Sequence, residues 1–477
     1  MNKASFDIAI LGGGINGSLF ALNIKRKAPQ LRVLIIEKQA EFSDKIGEST
    51  SDVSSVFLNR LGIDHILKKH ARKSGLRFLF FENGKRLEFA SPSQKSIANG
   101  YHFDRKILDT DLLEECKKKG VVVWQPAEIT RLEILEDENH IFVQKDRHSL
   151  QATAKWFIDV SGRFRFLQKK LNLENIPLDL DTGAVATHFD NIPANQSWDT
   201  PEHPIWTERC IGSQDYSTIH FMRKGCWWWF IKINETRASV GMVYNKDVIP
   251  SSEAQNYFLK QIKEDSVISK ALQNANPNKI SHIESLPYMV RQYHYKNTAL
   301  LGDSGAFIDP LFSPGLDFVC QQNDYLSDLL LDYFKTGKKN KRKWDKYNRI
   351  IFKANKDRVY IYKQIYSYTH SYDLFSNIAE YIFLGYQTFS VLPLRYFPKR
   401  MRKISTLNPV THQITKWYFL RLGKLLKERE IKNKHSYAIP QPVRFSRVGM
   451  PSGIRLFIKH FDLFWAWFKD FMLLNVK

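Results

Sequence analysis

Apolar and polar positions divide the chain into two regimes. In the first part, short apolar runs alternate with turns. Asp7 to Leu11 reads as a buried strand, Ser18 to about Lys27 as a helix, and Arg32 to Ile36 as a second strand ending at Glu37. Two further apolar strands, Phe157 to Val160 and Ala299 to Leu301, end in glycine-containing turns. Between about 165 and 295 the period shortens to two, over Thr182 to His188, Tyr216 to Met222, Trp227 to Ile233 and Ala238 to Tyr244, which predicts antiparallel strands. Residues 331–477 read as helices. The final one, Ile454 to Leu474, sets Arg455, Lys459, Asp462 and Lys469 on a narrow face, with Phe457, Phe461, Phe464, Trp465, Phe468, Phe471 and Met472 over most of the remainder. Such a helix either packs against the body of the protein or lies in a membrane interface. No run approaches the roughly 18 apolar residues of a spanning helix.

Charge changes this picture only in the last part. The 477 residues carry a net +22, with 43% hydrophobic and 25% charged residues, an ordinary globular composition that excludes wholesale disorder. Residues 1–330 hold 41 basic and 40 acidic side chains, whereas 331–477 hold 30 and 9. A boundary near 330 is therefore expected, followed by a basic helical C-terminal region. Its charge fits a merely solvated helical surface, and also suits an acidic carrier protein or an anionic membrane. Nucleic acid is set aside, because no nucleic-acid motif accompanies the charge. Cys116, Cys210, Cys226 and Cys320 are far apart, so neither a zinc site nor a disulfide framework is indicated, and no metal is expected. With no leader-like N-terminus, the expected location is cytoplasmic, with a membrane-peripheral variant left open by the last helix.

The candidate chemistry begins at Gly12-Gly13-Gly14-Ile15-Asn16-Gly17, a GxGxxG placed between a strand and a helix. Strand, glycine turn, helix, second strand and terminal acid form a dinucleotide-binding unit. Gly12 permits the tight turn, Gly14 lets the backbone approach a pyrophosphate, and Gly17 lets the helix pack closely on the sheet. The helix N-terminus offers free N–H groups to phosphates, and Glu37 is placed to accept hydrogen bonds from a ribose.

Two further segments narrow the reading. Asn297 to Phe318 contains Gly302-Asp303 and then Asp309-Pro310-Leu311-Phe312-Ser313-Pro314-Gly315, and Asp159-Val160-Ser161-Gly162-Arg163 closes another strand. Together with GxGxxG they resemble the FAD-binding signatures of the flavoprotein monooxygenase superfamily. Gly47-Glu48-Ser49-Thr50 and Gly225-Cys226-Trp227-Trp228-Trp229-Phe230-Ile231-Lys232 resemble segments of flavin-dependent halogenases, with Lys232 in place of the motif's proline. Ser49 or Thr50 is also expected to cap the following helix. Phe312 stands where tryptophan halogenases carry a carboxylate, so the resemblance is to the phenol and pyrrole branch.

This resemblance implies an α/β fold, with a Rossmann-like three-layer FAD-binding domain (1–165 and 290–330), an inserted mostly antiparallel sheet as substrate domain (166–289) and a C-terminal helical region (331–477). The cofactor contacts it implies are Gly12, Gly14, Ile15, Asn16, Gly17, Glu37 and Lys38 for the ADP half, Asp303 for the ribityl chain, and Glu48, Ser49, Gly315 and Leu316 around the isoalloxazine. Trp227, Trp229, Phe312 and Pro314 would line the substrate tunnel, with Trp227 and Trp229 on one strand face and Trp228 on the other. Lys73 is the candidate catalytic lysine, although Lys68, Lys69, Arg72 and Lys73 also fit a solvated basic face at helical spacing. The implied activity is that of an FAD-dependent oxidoreductase using FADH2 and O2 on an electron-rich aromatic or carrier-bound substrate. With no second GxGxxG, a separate flavin reductase would supply the reduced flavin.

Chloride or bromide is a further expected ligand, but Pro314 removes a backbone N–H at the position where the family binds halide. At roughly 1.5–3 kcal/mol per charge-assisted hydrogen bond, that loss amounts to about tenfold to a hundredfold in halide affinity. Two alternatives follow, namely a monooxygenase or dehydrogenase without halide chemistry, and a membrane-peripheral flavoprotein.

Overall fold

The computed structural model describes residues 3–82, 84–92, 100–193, 199, 201–210, 212–391, 393–394, 406–407, 409–431, 443–446 and 455–473, with side chains of 207, 209, 455–461 and 473 excepted. The expected side chains Arg455, Phe457, Lys459 and Phe461 thus lie outside the described ones.

Strand Lys3–Leu11 lies at the centre of an eight-stranded sheet, parallel to Val33–Ile36 on one side and to His148–Asp159 on the other. His148–Asp159 pairs in turn with Thr298–Leu300, and Val33–Ile36 with Val122–Trp124, again in parallel. Neighbours on both sides of the first strand create the reversal of strand order at which open α/β sheets bind ligands, beyond the carboxyl ends of the strands. Helix Ile15–Lys27 leaves the first strand through the glycine turn and packs between helices Arg105–Lys118 and Gly315–Thr336. Its inner side is tied down by Asn23 Nδ2 donating to Asn323 Oδ1 at 3.0 Å and by the Lys27–Asp324 ion pair at 2.6 Å. This is the expected three-layer Rossmann-like α/β unit.

The second sheet has nine strands. Thr182–Asp190, Arg237–Asn245, Cys226–Asn234 and Ser217–Arg223 form its antiparallel middle, where period-two alternation predicted it. It extends beyond the expected 166–289. Gly75–Glu82 joins Ser217–Arg223 in parallel, Lys85–Pro92 follows it, and Val443–Phe445 closes that edge. The boundary was set by contiguous sequence, whereas hydrogen bonding recruited strands from both flanking stretches.

The charge break near 330 also fails to mark a structural boundary, because it falls inside the continuous helix Gly315–Thr336. Beyond it, helices Lys341–Tyr366, Tyr372–Tyr386, Pro409–Ile431 and Arg455–Leu473 share one apolar cluster that runs from Phe6 to Phe471. Trp344 stacks on Trp156 of the central sheet with ring centroids 4.5 Å apart. The C-terminal helices are therefore walls of the same core, and their excess charge is a property of their outer faces. No helix among the described residues is long and apolar enough to cross a membrane.

Candidate active site

The glycine turn is dictated by crowding. Gly12 has φ +108°, and a Cβ there would stand 2.6 Å from Val160 O; one on Gly17 would stand 1.9 Å from Gly12 O. Gly14 precedes the helix with no side-chain cap, so the first N–H groups of the helix remain available. Ile15 begins that helix, and Asn16 Nδ2 lies where it would be 3.2 Å from a Cβ on Gly302, which brings two motifs 286 positions apart into contact. Glu37 accepts from Gly13 N at 2.7 Å and from Gln39 N at 2.8 Å, fixing its carboxylate beside the turn. Lys38 extends outward, with its side chain 66% exposed and paired to Glu128 at 2.7 Å, which gives no support for a cofactor contact by that side chain.

Cations missed by the sequence reading gather beside Gly14. A Cβ on Gly14 would stand 3.2 Å from Asp109 Oδ2 and 3.9 Å from Lys45 Nζ, and Asp109 is held by Arg105 through two contacts of 3.1 Å. Arg105 also donates to Gly47 O at 3.2 Å. The i,i+4 spacing of Arg105 and Asp109 was visible in the sequence, but nothing in it connects that pair to the glycine turn. Arg358 is a second addition. Its Nε and Nη1 are buried without a partner, and its guanidinium lies 4.4 Å over the Phe318 ring. Burial raises the Asp303 carboxyl pKa, with Arg163, Arg358 and Arg105 opposing. Gly315, exposed and with nothing within 4 Å of a Cβ built on it, borders open space, and Leu316 behind it packs on the core. An uncapped helix start, nearby cations, an orphaned guanidinium and an open glycine together fit an anionic dinucleotide such as FAD.

The candidate catalytic residues converge around Ser49. Lys73 is not on a helical basic face; Ala71–Lys73 is a short strand paired with Gly100–His102. Its side chain is buried, 5% exposed, and Nζ donates to Ser49 Oγ at 2.8 Å and to Thr50 O at 3.0 Å. Burial lowers its pKa to about 8, against the pull of Asp52 and Asp317. Ser313 Oγ reaches the same Ser49 Oγ at 3.4 Å, so one serine links Lys73 to the turn before Gly315. Ser49 does not cap the following helix, nor does Thr50, which bonds Tyr101. The N-cap is Ser51, whose N–H donates to Ser54 Oγ at 3.1 Å. Ser49 Oγ also lies 3.2 Å from Thr218 Oγ1, which is 2.9 Å from His102 Nε2, and burial drops the His102 pKa to about 3. Glu48 is buried with Oε1 2.7 Å from His188 Nε2, tying the flavin-segment candidate to the second sheet.

Phe312 and Ser313 have φ of +67° and +55°, left-handed conformations that are costly for residues with side chains. Phe312 is held in an aromatic wall with Phe78 (5.5 Å), Phe375 (6.1 Å) and Phe383 (5.6 Å), and Ser313 N donates to Pro310 O at 2.9 Å. Pro314 is the N-cap of helix Gly315–Thr336, so Gly315 contributes the first free N–H of that helix. Trp227 and Trp229 share a strand face, ring centroids 6.0 Å apart, whereas Trp228 stacks on Phe258 in the other core. Trp227 Nε1 donates to Tyr366 OH at 3.1 Å, and Tyr366 donates to Asp309 Oδ2 at 2.7 Å. The tryptophan strand is thereby coupled to the turn that carries Phe312 to Gly315. Burial raises the Asp309 pKa to about 7. Among the described residues no cluster of metal-ligating side chains occurs.

Comparisons with known proteins agree with this geometry. A sequence model of a family described as tryptophan halogenase matches residues 7–82 and 68–373. A 1H-pyrrole-2-carbonyl-[peptidyl-carrier protein] chlorinase from Pseudomonas fluorescens is 24% identical over 74% of this chain and 81% of its own length. The flavin-dependent halogenase chlA from Dictyostelium discoideum is 23% identical over 68% of this chain and 60% of its own length. Among solved structures, halogenase PltM in complex with phloroglucinol and FAD superposes with a TM-score of 0.75 at 18% identity, covering 89% of this chain and 92% of that one.

Proposed function

The chain belongs to the tryptophan halogenase family, a class of FAD-dependent oxidoreductases, and from that premise we propose that it halogenates an electron-rich aromatic or carrier-bound substrate. The observation that carries this reading is the convergence on Ser49, where Lys73 Nζ at 2.8 Å and Ser313 Oγ at 3.4 Å bring the lysine to the turn before Gly315.

Bound FAD, reduced by a separate flavin reductase, would supply the oxygen activation that oxidises chloride or bromide to an electrophilic halogen species. The chain's residues hold and direct that chemistry. Gly12 to Gly17, Glu37, Lys45 and Arg105 would hold the ADP half, Asp303 the ribityl chain, and Glu48, Gly315 and Leu316 the ring system. The aromatic wall of Phe78, Phe312, Phe375 and Phe383 excludes water. Lys73 presents a donor while protonated, and a lone pair once it loses its proton near pH 8, so it can hydrogen-bond hypohalous acid or take its halogen with release of water, and the aromatic carbon that then receives the halogen gives up its proton to the lysine nitrogen. A relative that chlorinates a carrier-bound pyrrole supports a substrate in the non-tryptophan branch, as does Phe312 in place of a carboxylate.

The test incubates the purified protein with FAD, a flavin reductase, NADH and bromide, against a panel of phenols and a pyrrole-2-carbonyl carrier protein. Brominated product is the expected outcome. Hydroxylated product in its place would show that Pro314 has removed the halide step and that the flavin oxygenates the substrate directly.

A further inference from the structure

Helix Pro409–Ile431 is divided lengthwise. Thr415, Tyr418, Phe419, Leu422, Leu425 and Arg429 are buried against the protein. At about 100° per residue, Val410, Ile414, Trp417, Leu420 and Ile431 fall within one arc of about 160° on the opposite side. There Val410 is 67% exposed, Trp417 49% and Leu420 61%. Lys416, Arg421, Lys424 and Lys427 occupy the same arc together with one acid, Glu428; Glu430, the other acid of this helix, falls beyond its edge.

Helix Arg455–Leu473 runs alongside, its Phe471 ring 5.6 Å from Trp417 and 4.9 Å from Tyr418. Its outer side adds exposed Phe464, Trp465 and Met472, with Lys469 and Asp462 beside them. Over residues 409–477 basic side chains outnumber acidic ones by 13 to 4.

Exposed Trp, Leu and Ile interleaved with cations that outnumber the carboxylates four to one on the helix arc suit one partner better than others. A solvated surface gives no reason for the apolar members. An acidic protein would match the lysines but would press carboxylates against Trp417 and Leu420. A bilayer bearing anionic headgroups matches both, since indoles and aliphatic groups enter the headgroup boundary while lysine stems extend their ammonium groups to the phosphates. No described helix is long and apolar enough to span, so the contact would lie along the surface.

We propose that the outer face of helix Pro409–Ile431, extended by Trp465 and Met472, seats this protein on an anionic phospholipid bilayer. This inference is independent of the chemistry at Lys73.

The full-length protein is sedimented with vesicles of phosphatidylcholine alone and of phosphatidylcholine with phosphatidylglycerol. Binding to the anionic vesicles is expected to exceed binding to the neutral ones by about tenfold or more and to fall at high salt. It should fall about as far in Val410→Asp/Leu420→Asp and in Lys416→Glu/Lys424→Glu/Lys427→Glu, both placed on the solvent side and expected to keep the parent melting temperature. Brominated acyl chains should quench less fluorescence in Trp417→Phe than in the parent. Absence of vesicle binding, equal binding to neutral vesicles, indifference to both variants, or capture of an acidic carrier protein by this face in place of vesicles would overturn the proposal.

Discussion

Lys73 is an amine kept from water, and its pKa of about 8 instead of the ordinary 10.5 records the cost of charging it there. Between those two values the unfolded chain binds more protons than the folded one, so this residue makes stability rise with pH from about 8 to 10.5. Lys73→Met is expected to flatten that rise in a pH series of melting temperatures and to lower halogenation by about a hundredfold or more, while bound flavin is retained. Asp309 has the opposite sign. Its carboxyl holds a proton up to about pH 7 in the fold against an ordinary 3.8, so stability falls as pH climbs through that window. Asp309→Asn, isosteric and neutral, should abolish the fall and keep the Tyr366 contact. Pro314 poses the halide question at one atom. Pro314→Ser returns the missing N–H ahead of Gly315 and is expected to lower the bromide concentration for half-maximal turnover by about tenfold to a hundredfold.

At the scale of elements, the dinucleotide unit was legible because its signal is local: strand, turn, helix and acid lie within forty residues, and Gly17 answers to Gly12 O five residues away. Gly17→Ala, with its Cβ 1.9 Å from Gly12 O, should yield protein purified without flavin, read from the absorbance of the pool. The tryptophan strand was legible for a similar reason, since period-two alternation separates Trp227 and Trp229 from Trp228. Trp228→Ala is expected to cost about 3–5 kcal/mol in a denaturant melt with little change in KM, because it fills the core behind the sheet. The alternative of a solvated helical face for Lys73 fails because three residues carry no periodicity of their own; the partner that makes Ala71–Lys73 a strand is Gly100–His102, about thirty positions on. Gly75–Glu82 was likewise placed in the wrong domain, as its neighbour Ser217–Arg223 lies far along the chain. Arg358 and Lys45 stayed invisible because burial and proximity to a glycine turn are products of the tertiary fold alone.

At the scale of the whole molecule, the charge imbalance suggested a detachable basic module, and the packing shows shared walls. The turn from Asp309 to Gly315 owes its shape to side chains that arrive late in the sequence. Tyr362 OH donates to Leu311 O at 2.8 Å, Tyr366 grips Asp309, Phe375 and Phe383 hold Phe312, and Tyr386 OH joins Asp317 Oδ2 at 2.6 Å to Val53 N at 3.1 Å. On the ribosome, the glycine turn of residues 12–17 is complete hundreds of residues before these clamps emerge. The nascent chain thus contains the residues proposed to hold the nucleotide long before those proposed to enclose a flavin ring. Stalled chains released at residue 340 should bind ADP more weakly than the parent by less than they lose in affinity for FAD, a contrast that equilibrium dialysis of the two ligands would measure. The left-handed pair Phe312–Ser313 therefore gains its supporting contacts only when Tyr362, Phe375 and Phe383 are made, so the shape of this turn is a late product of synthesis.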